Sequence, residues 1–221
     1  MSGRPFEAGL RSGLAALGLV LSDQQVTHLL DYQDLLQKWN RVYNLTAVRD
    51  PKDMLTHHLL DSLAVVAPLQ RQLQARHPGN GVRLLDVGSG AGLPGVMIAI
   101  CCPEIQVACV DAVAKKVAFI RQVQVALGLA GLQAHHARVE TLTGAYDVVC
   151  SRAFASLLDF VSGTRHVLAK GGCWLAMKGQ EPVEEVAVLP SDVRVFHVEQ
   201  LQVPELDAQR CIVWMEAEAS R

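Results

Sequence analysis

Leu84-Leu-Asp-Val-Gly-Ser-Gly-Ala-Gly-Leu-Pro-Gly95 is the part of this sequence that decides the fold. It begins in an apolar run, Arg83–Val87, with the length and composition of a buried strand. The glycines that follow permit positive φ angles and let a ligand touch the backbone. A helix that starts directly after such a loop offers unpaired N–H groups. The stretch therefore predicts a strand, a glycine loop and a helix around a ligand site at the carboxyl end of the strand.

Short apolar runs and amphipathic segments alternate on the carboxyl side of this loop. Strands are predicted at six further places: Gln106–Val110, Gln133–His135, Tyr146–Cys150, Cys173–Met177, Val193–Val198 and Cys211–Met215. The helices predicted between them are Pro94–Cys101, Lys115–Leu127 and Ser156–Leu168. This alternation predicts an α/β fold with a doubly wound, Rossmann-like and mostly parallel sheet. Because the connector 202–209 has no helical pattern, the last two strands are predicted to be antiparallel.

Residues 1–80 have a different pattern, which predicts helices. The first covers about Pro5–Leu17, the second begins with the capping box Ser22–Gln25, and the third begins at Asp50-Pro51. A turn-rich connector is predicted from residue 70 to residue 81. We therefore expect one structural unit made of two parts: an N-terminal helical extension at 1–80, packed on an α/β domain at 81–221.

Composition limits the classes of function. The chain has 221 residues, half of them hydrophobic, and a formal net charge of −2. It therefore lacks a global basic field, and a nucleic-acid substrate would have to be held by a local patch. The six cysteines include no C-x-x-C pair, which predicts buried thiols in a reducing compartment and no metal site. With no signal-peptide pattern and no long apolar run, we expect a cytoplasmic protein without a membrane span.

The sequence of the glycine loop is compatible with two cofactors, NAD and S-adenosylmethionine. Gly90-Ala-Gly-Leu-Pro-Gly95 is a G-x-G-x-x-G string, the dinucleotide fingerprint, and Asp111 follows at the spacing of a ribose-binding acid. An NAD-linked oxidoreductase is therefore one alternative. Three features favour S-adenosylmethionine (SAM): an acid before the loop that suits a cationic ligand, a strand that ends before Gly88, and a single visible mononucleotide-binding half. The SAM site is predicted to include Asp86, Gly88, Gly90 and Gly92.

Residues at the ends of the next two strands complete the predicted cofactor site. Asp111 ends the second strand, where a carboxylate can accept hydrogen bonds from both ribose hydroxyls. Val139 and Glu140 follow the third strand, where the chain passes the adenine. The alternatives are an exposed aspartate at a strand end and a solvated glutamate in a turn.

Five stretches carry a family resemblance and follow one another in the family's order across about residues 35–215: Trp39-Asn-Arg-Val-Tyr-Asn-Leu-Thr-Ala47, His57–Leu63, Asp86–Gly95, Ser151-Arg-Ala-Phe-Ala155 and Leu175-Ala-Met-Lys-Gly-Gln180. On these strings the chain resembles the bacterial RsmG/GidB family, the small-subunit ribosomal RNA guanine-N7 methyltransferases. The resemblance implies a methyltransferase domain that methylates N7 of guanine 527 in 16S ribosomal RNA. It also implies a SAM site lined by Gly88, Leu93, Val139, Glu140 and Arg152. Ala112 departs from the family pattern, in which a hydroxyl residue follows the aspartate.

The implied chemistry requires positioning rather than proton removal. Guanine N7 carries a lone pair in the plane of the ring, so no general base is required. The protein must instead hold the base in line with the methyl donor. The candidates for positioning the base or the RNA are Arg152, Lys178 and Asn44. Their alternatives are an ordinary surface arginine, a solvated lysine and a turn asparagine.

The implied partner is 16S ribosomal RNA, within the small ribosomal subunit or an assembly intermediate. We expect a monomer that binds neither DNA nor a membrane. A SAM methyltransferase acting on a small molecule or a protein is an alternative, and N-terminal helices closing over a compact pocket would favour it. A SAM-binding module without catalysis is a further alternative.

Overall fold

One sheet organises the molecule in this computed structural model, which describes residues 4–76, 81–152, 154 and 156–218. Its strands are β1 (Arg83–Val87), β2 (Gln106–Asp111), β3 (Leu132–His136), β4 (Tyr146–Ser151), β5 (Leu168–Lys178), β6 (Val193–Leu201) and β7 (Arg210–Ala217). Within the described residues these seven form a single sheet in the order β3-β2-β1-β4-β5-β7-β6. Neighbours are parallel except where β7 pairs antiparallel with β5 and β6. The predicted α/β fold, including its antiparallel last pair, is confirmed.

The strand order reverses beside β1. This strand pairs with β2 on one side and with β4 on the other, so the chain winds outward in both directions from it. At such a reversal the connections leave on opposite faces and open a crevice at the carboxyl ends of the strands. The glycine loop follows β1 and lies at this crevice.

The helices cover both faces of the sheet. Those of the N-terminal part are α1 (Glu7–Ala16), α2 (Asp23–Tyr43), α3 (Pro51–Met54), a π-helical segment (Leu55–Leu60), α4 (Asp61–Leu63) and α5 (Val66–Arg76). The later helices are α6 (Gly95–Cys101), α7 (Ala114–Leu127), α8 (Leu157–Thr164) and α9 (Val183–Ala187), with 3₁₀ turns at Val139–Thr141 and Arg165–Val167. Among the described residues, none of the helices combines the length and hydrophobicity needed to cross a membrane.

Side chains of the strands alternate between two apolar clusters. Leu84 belongs to the cluster that also contains the buried faces of α1, α2, α6 and α7, whereas Leu85 faces the cluster beneath α8. Since successive strand residues point to opposite faces, a sheet covered on both sides needs nearly continuous apolar runs such as Val107–Val110. Each fully buried leucine or valine contributes about 1.5–3 kcal/mol relative to an exposed one.

The first cluster extends from Leu10 in α1 to Trp214 in β7. The N-terminal helices therefore share their core with the sheet. The domain boundary at residue 80 stays a prediction.

The predicted helix starts at Ser22 and Asp50 have the expected caps. The Ser22 Oγ accepts a hydrogen bond from the backbone N–H of Gln25 at 3.2 Å, and the Ser22 N–H donates to the Gln25 side chain at 3.0 Å. The Gln25 amide also donates to the carbonyl oxygen of Ile100 at 2.9 Å, near the end of α6. At α3 the Asp50 carboxylate accepts from the N–H of Lys52 at 2.8 Å. The first cap thus also attaches α2 to the α/β part.

Two predicted boundaries are wrong, and tertiary contacts explain both. The connector expected from residue 70 is helical as far as Arg76, because its guanidinium reaches Glu216 at 2.6 Å and lies over the Phe196 ring. Residues 77–80 of the predicted connector lie outside the described residues. The helix expected to end at residue 168 ends at Thr164, whose hydroxyl accepts from the Trp174 indole at 2.8 Å, and β5 begins at 168.

All six cysteines are buried and none forms a disulfide, as predicted. Burial raises the pKa of Cys109 and of Cys150 well above the usual thiol value. These two residues lie in neighbouring positions of β2 and β4, on either side of Asp86 in β1.

Tyr32 connects α2 to the glycine loop. Its side chain is fully buried, and its hydroxyl donates to the carbonyl oxygen of Ala91 at 2.8 Å. Tyr32→Phe is expected to lower the free energy of unfolding by about 1–2 kcal/mol, because the loop carbonyl loses its buried donor. Urea denaturation monitored by tryptophan fluorescence measures this loss.

Tyr146→Phe is the matched control, since this tyrosine is also buried but lies at the amino end of β4, beneath the Arg83 guanidinium. Equal losses of stability in the two variants would contradict a specific role for the Tyr32 hydroxyl.

Candidate functional site

The glycine loop has one open side and one packed side. Gly88, Gly90 and Gly92 have φ angles of 65°, 59° and 83°, which residues with a Cβ rarely adopt. A Cβ at Gly88 would meet no atom within 4 Å, whereas one at Gly92 would lie 2.4 Å from the Val96 side chain. A ligand can therefore approach the backbone at Gly88 and Gly90. Gly92 is required for packing against α6.

Asp111 holds the loop in shape. Its carboxylate accepts hydrogen bonds from the Gly90 N–H at 2.9 Å and from the Val113 N–H at 2.8 Å, one on each oxygen. The Lys116 ammonium lies 3.6 Å away. Each oxygen has a second lone pair, so the carboxylate can accept ligand hydroxyls without releasing the loop.

Asp86 is the most unusual group at this edge. It is fully buried, and one carboxylate oxygen accepts from the Gly95 N–H at 2.8 Å. Among the described residues its other oxygen, Oδ1, has no hydrogen-bond partner. Burial raises the pKa of this carboxyl to about 7, and the Gly95 hydrogen bond opposes the rise. A cation or a hydrogen-bond donor in the crevice would favour the ionised form.

Three further predicted cofactor residues lie around the crevice. Leu93 is buried in the glycine loop, and Val139 is buried in the 3₁₀ turn after β3. Glu140 is next to it and exposed. Because β3 pairs with β2, this turn lies on the Asp111 side of β1. The roles of these residues stay predictions.

On the other side of β1, two arginines share one buried aspartate. The Arg152 Nη1 atom donates to Asp61 Oδ2 at 3.1 Å and to the His57 carbonyl oxygen at 3.0 Å. The Arg210 Nε atom donates to the other Asp61 oxygen at 2.7 Å. Only 6% of the Asp61 side chain is exposed, so the carboxylate depends on these donors. Arg152 follows β4 and Arg210 begins β7, which places both at the carboxyl edge of β5.

Sequence reasoning identified Arg152 but missed Asp61 and Arg210 as parts of the site. Asp61 lies in one of the motifs that carry the family resemblance, and that was the available signal. Nothing in the local sequence distinguishes Arg210, because its pairing with Asp61 depends on the antiparallel placement of β7 against β5.

His58 fixes a second part of this network. Its Nε2 atom lies 2.7 Å from the Thr46 Oγ1 and its Nδ1 lies 3.1 Å from the His57 carbonyl oxygen. Burial lowers the pKa of His58 to about 4, so the ring is neutral at physiological pH. Since a carbonyl only accepts, Nδ1 carries the proton, and the Thr46 hydroxyl donates to Nε2. Asn40 then accepts from the Thr46 N–H at 2.9 Å and donates to the Val48 carbonyl at 3.0 Å.

This network begins in the π-helical segment Leu55–Leu60, where the wider turn carries both histidines. Single π-helical turns are rare and are frequently found at functional sites. Periodicity in the sequence predicted an ordinary helix here. The segment joins the end of α2 and the loop that follows it, Asn40–Val48, to Arg152, which is far away in the chain.

Lys178 and Asn44 have partners of their own. The Lys178 ammonium donates to both carboxylate oxygens of Glu185, at 2.8 and 3.0 Å. Asn44 caps the end of α2 in a left-handed conformation, is exposed, and accepts from Arg49 at 3.2 Å. Beside it, the Lys115 ammonium donates to the Tyr43 carbonyl oxygen at 2.7 Å. Asn44 therefore lies at a rim between α2 and α7, and its role stays a prediction.

A cleft of about 420 Å³ lies beside the shared aspartate. Its walls come from the π-helical segment, the start of α4, the ends of β4 and β5, and the start of β7: His57, His58, Asp61, Arg152, Met177, Lys178, Gly179 and Arg210. It brings two of the three predicted positioning residues, Arg152 and Lys178, together. In the described parts of the chain, no group of three or more His, Cys, Asp or Glu side chains is arranged to hold a metal ion.

Solved structures with a similar fold include methyltransferases and a [4+2]-cyclase, SpnF. A SAM-dependent methyltransferase from Aquifex aeolicus superposes with a TM-score of 0.53 at 17% identity, covering 75% of this chain and 93% of that one. TrmN from Thermus thermophilus gives a TM-score of 0.57 at 20% identity, covering 70% of this chain and 48% of that one. At these identities the likeness concerns the fold alone.

Sequence comparison is far more specific. The model of the GidB family, described as rRNA small subunit methyltransferase G, matches residues 25–213. The protein of that name from Polaromonas sp. is 64% identical over 217 residues, covering 98% of this chain and 96% of its own length. The one from Albidiferax ferrireducens is 64% identical over 222 residues, with coverages of 98% and 99%. The chain therefore belongs to the GidB family of ribosomal RNA small subunit methyltransferases.

Proposed function

We propose that this protein transfers a methyl group from SAM to N7 of a guanine in 16S ribosomal RNA, the residue numbered 527. The observation that carries the proposal is one sheet edge with two different sites. An open glycine loop lies beside a buried carboxylate, and next to it is a cleft with two arginines. Family membership supports ribosomal RNA as the acceptor.

The residues at the loop fit SAM by their chemistry. The unpartnered Asp86 oxygen suits a ligand that carries positive charge, and the backbone at Gly88 and Gly90 accepts a close approach. Asp111 would take the ribose hydroxyls, and Leu93 and Val139 would provide apolar contacts for the adenine. When bound, SAM supplies a methyl group activated by its attachment to a sulfonium.

The contribution of the protein is orientation of the base. Guanine N7 needs no proton removed before it attacks, so a general base is unnecessary. Arg152 is held by two acceptors, the Asp61 carboxylate and the His57 carbonyl oxygen. They fix its guanidinium and leave other N–H groups for an acceptor such as guanine O6. Holding two reactants in line contributes several kcal/mol to lowering the barrier, on the order of 7–11 at best.

The net charge of −2 supports an assembled ribosomal particle as the substrate. A protein without a global basic field gains little from nonspecific attraction to free RNA. We propose that it acts in the cytoplasm as a monomer on the small subunit or an assembly intermediate, whose surface adds contacts to the target strand.

The proposal is tested by supplying labelled SAM with small subunits, naked 16S ribosomal RNA or bulk protein extract. Label is expected in ribosomal RNA, and chemical cleavage at N7-methylguanine should map it to a single position. Label that enters only protein would make the RNA proposal wrong and favour a protein methyltransferase.

Gly88→Asp tests the loop. The variant is expected to weaken SAM binding at least tenfold in isothermal titration, because a carboxylate would occupy the space that the ligand needs. Gly128→Asp is the control, since Gly128 has a φ of 63° and equally open surroundings but caps α7. Both variants should be destabilised by about 1 kcal/mol, because aspartate at either position must adopt a left-handed backbone conformation. If they bound SAM equally well, the loop would have no direct role.

Asp86→Asn tests the buried carboxyl through the pH dependence of stability. Because its folded pKa is about 7, above the usual 3.8, the native state holds a proton that the unfolded state releases. The contribution of this group to stability therefore falls as pH rises from about 4 to 7. Between pH 5 and pH 8 the free energy of unfolding, measured by urea denaturation, should fall by about 2–3 kcal/mol more in the wild type than in Asp86→Asn. Parallel profiles would contradict an elevated pKa.

A further inference from the structure

We infer that the cleft beside Asp61 binds a phosphate of the RNA strand next to the target guanine, with Arg210 as the ligand and Asp61 as its positioning residue. This inference rests on the proposed function and adds to it the residues that hold the strand. Neither the sequence motifs nor the family match assigns a role to Arg210.

The charges of the side chains in the cleft favour an anionic ligand. Three cationic side chains, Arg152, Lys178 and Arg210, line it together with a single carboxylate, Asp61. Glu185 neutralises Lys178 by accepting a hydrogen bond on each carboxylate oxygen, at 2.8 and 3.0 Å. Asp61 can neutralise only one of the two arginines. Among these lining side chains and Glu185, one positive charge remains, and a phosphodiester carries one negative charge.

The arginines also retain donors for a ligand. A guanidinium has five N–H groups. Arg210 uses its Nε for Asp61 and its Nη1 for the Gln209 carbonyl, while Arg152 directs a single nitrogen, Nη1, at Asp61 and His57. About a quarter of each side chain is exposed. The cleft thus presents partly exposed guanidinium groups with their positions already fixed.

The location of Arg210 suits contact with the RNA strand rather than with the cofactor. Along the sheet edge the order is β1, β4, β5, β7, so three strand spacings separate the glycine loop from Arg210. At about 4.8 Å per spacing this is roughly 14 Å. Arg152, which follows β4, lies between them. Arg210 is therefore placed beyond Arg152, on the side away from the glycine loop, where it can reach the backbone of a base held beside Arg152.

Asp61 orders this site through charge-assisted hydrogen bonds, which are shorter and stronger than neutral ones. One carboxylate that binds two guanidinium groups sets their separation, and it joins chain segments 149 residues apart. Without it the two like charges would repel each other, and the arginines would lose their common orientation.

Arg210→Gln is the test, with Arg165→Gln as the matched control. Arg165 is a partly exposed arginine paired with an aspartate, Asp192, but it lies at the amino end of β5. With small subunits as substrate, Arg210→Gln should raise KM about tenfold and leave the Kd for SAM unchanged. Loss of one phosphate contact should also reduce the slope of log binding constant against log salt by about 0.7–0.9. Arg165→Gln should change neither quantity.

Two further variants separate binding from folding. Arg210→Lys keeps the charge. Its salt slope should equal that of the wild type, and its KM should be close to the wild-type value. Asp61→Asn should raise KM although both arginines are still present, with the Kd for SAM and the Tm measured alongside. Equal salt slopes in wild type and Arg210→Gln, or a loss of SAM binding that parallels the loss of Tm, would overturn the inference.

A final measurement distinguishes failure of this inference from failure of the proposed function. The wild type should bind guanosine 5′-monophosphate more tightly than guanosine, and Arg210→Gln should abolish that difference. If no RNA is methylated but the preference for the monophosphate depends on Arg210, the proposed function is wrong and the phosphate site stands. If subunits are methylated and the preference is absent, the site is wrong and the function stands.

Discussion

Removing a carboxylate from water costs several kcal/mol unless hydrogen bonds replace its hydration. Three aspartates at the carboxyl edge of this sheet are buried, and their partners determine the shape of the site. Asp111 binds the N–H of Gly90 and so holds the glycine loop. Asp61 binds two arginines and so forms one wall of the cleft.

Asp86 differs from the other two because it has a donor on one oxygen only. Its burial is therefore partly uncompensated, which is the reason for its raised pKa. Uncompensated burial of this kind is tolerated in native proteins where a ligand completes the environment. This incompletely satisfied carboxylate lies two residues before Gly88, where the backbone is open to a ligand.

The N-terminal helices form part of the site as well as covering the sheet. Tyr32 in α2 holds the loop carbonyl of Ala91, and Asn40 and Thr46 connect the end of α2 to His58. His58 is adjacent in the chain to His57, whose carbonyl anchors Arg152. A displacement of α2 would therefore disturb both the loop and the arginine. This coupling gives the Asn40 and Thr46 side chains structural roles that residues on an ordinary helix surface do not have.

Local chemistry made much of this predictable. The Ser22 capping box, the Asp50 cap and the Arg83–Val87 strand depend on residues only a few positions apart, and each is present in the structure. The alternation of strands and helices likewise predicted the sheet. Features that depend on distant contacts were not predictable: the extension of α5 to Arg76, which Glu216 stabilises, and the pairing of Asp61 with Arg210. The predicted site residues around the cofactor stay predictions, because their roles require a ligand.

The buried thiols of Cys109 and Cys150 have a chemical consequence of their own. Both lie beside Asp86, in β2 and β4, and burial keeps them protonated. A thiolate is a strong nucleophile, whereas a protonated thiol is a weak one. If SAM, an alkylating agent, binds at this edge as proposed, the packing that completes the core would also keep these two thiols from becoming methyl acceptors.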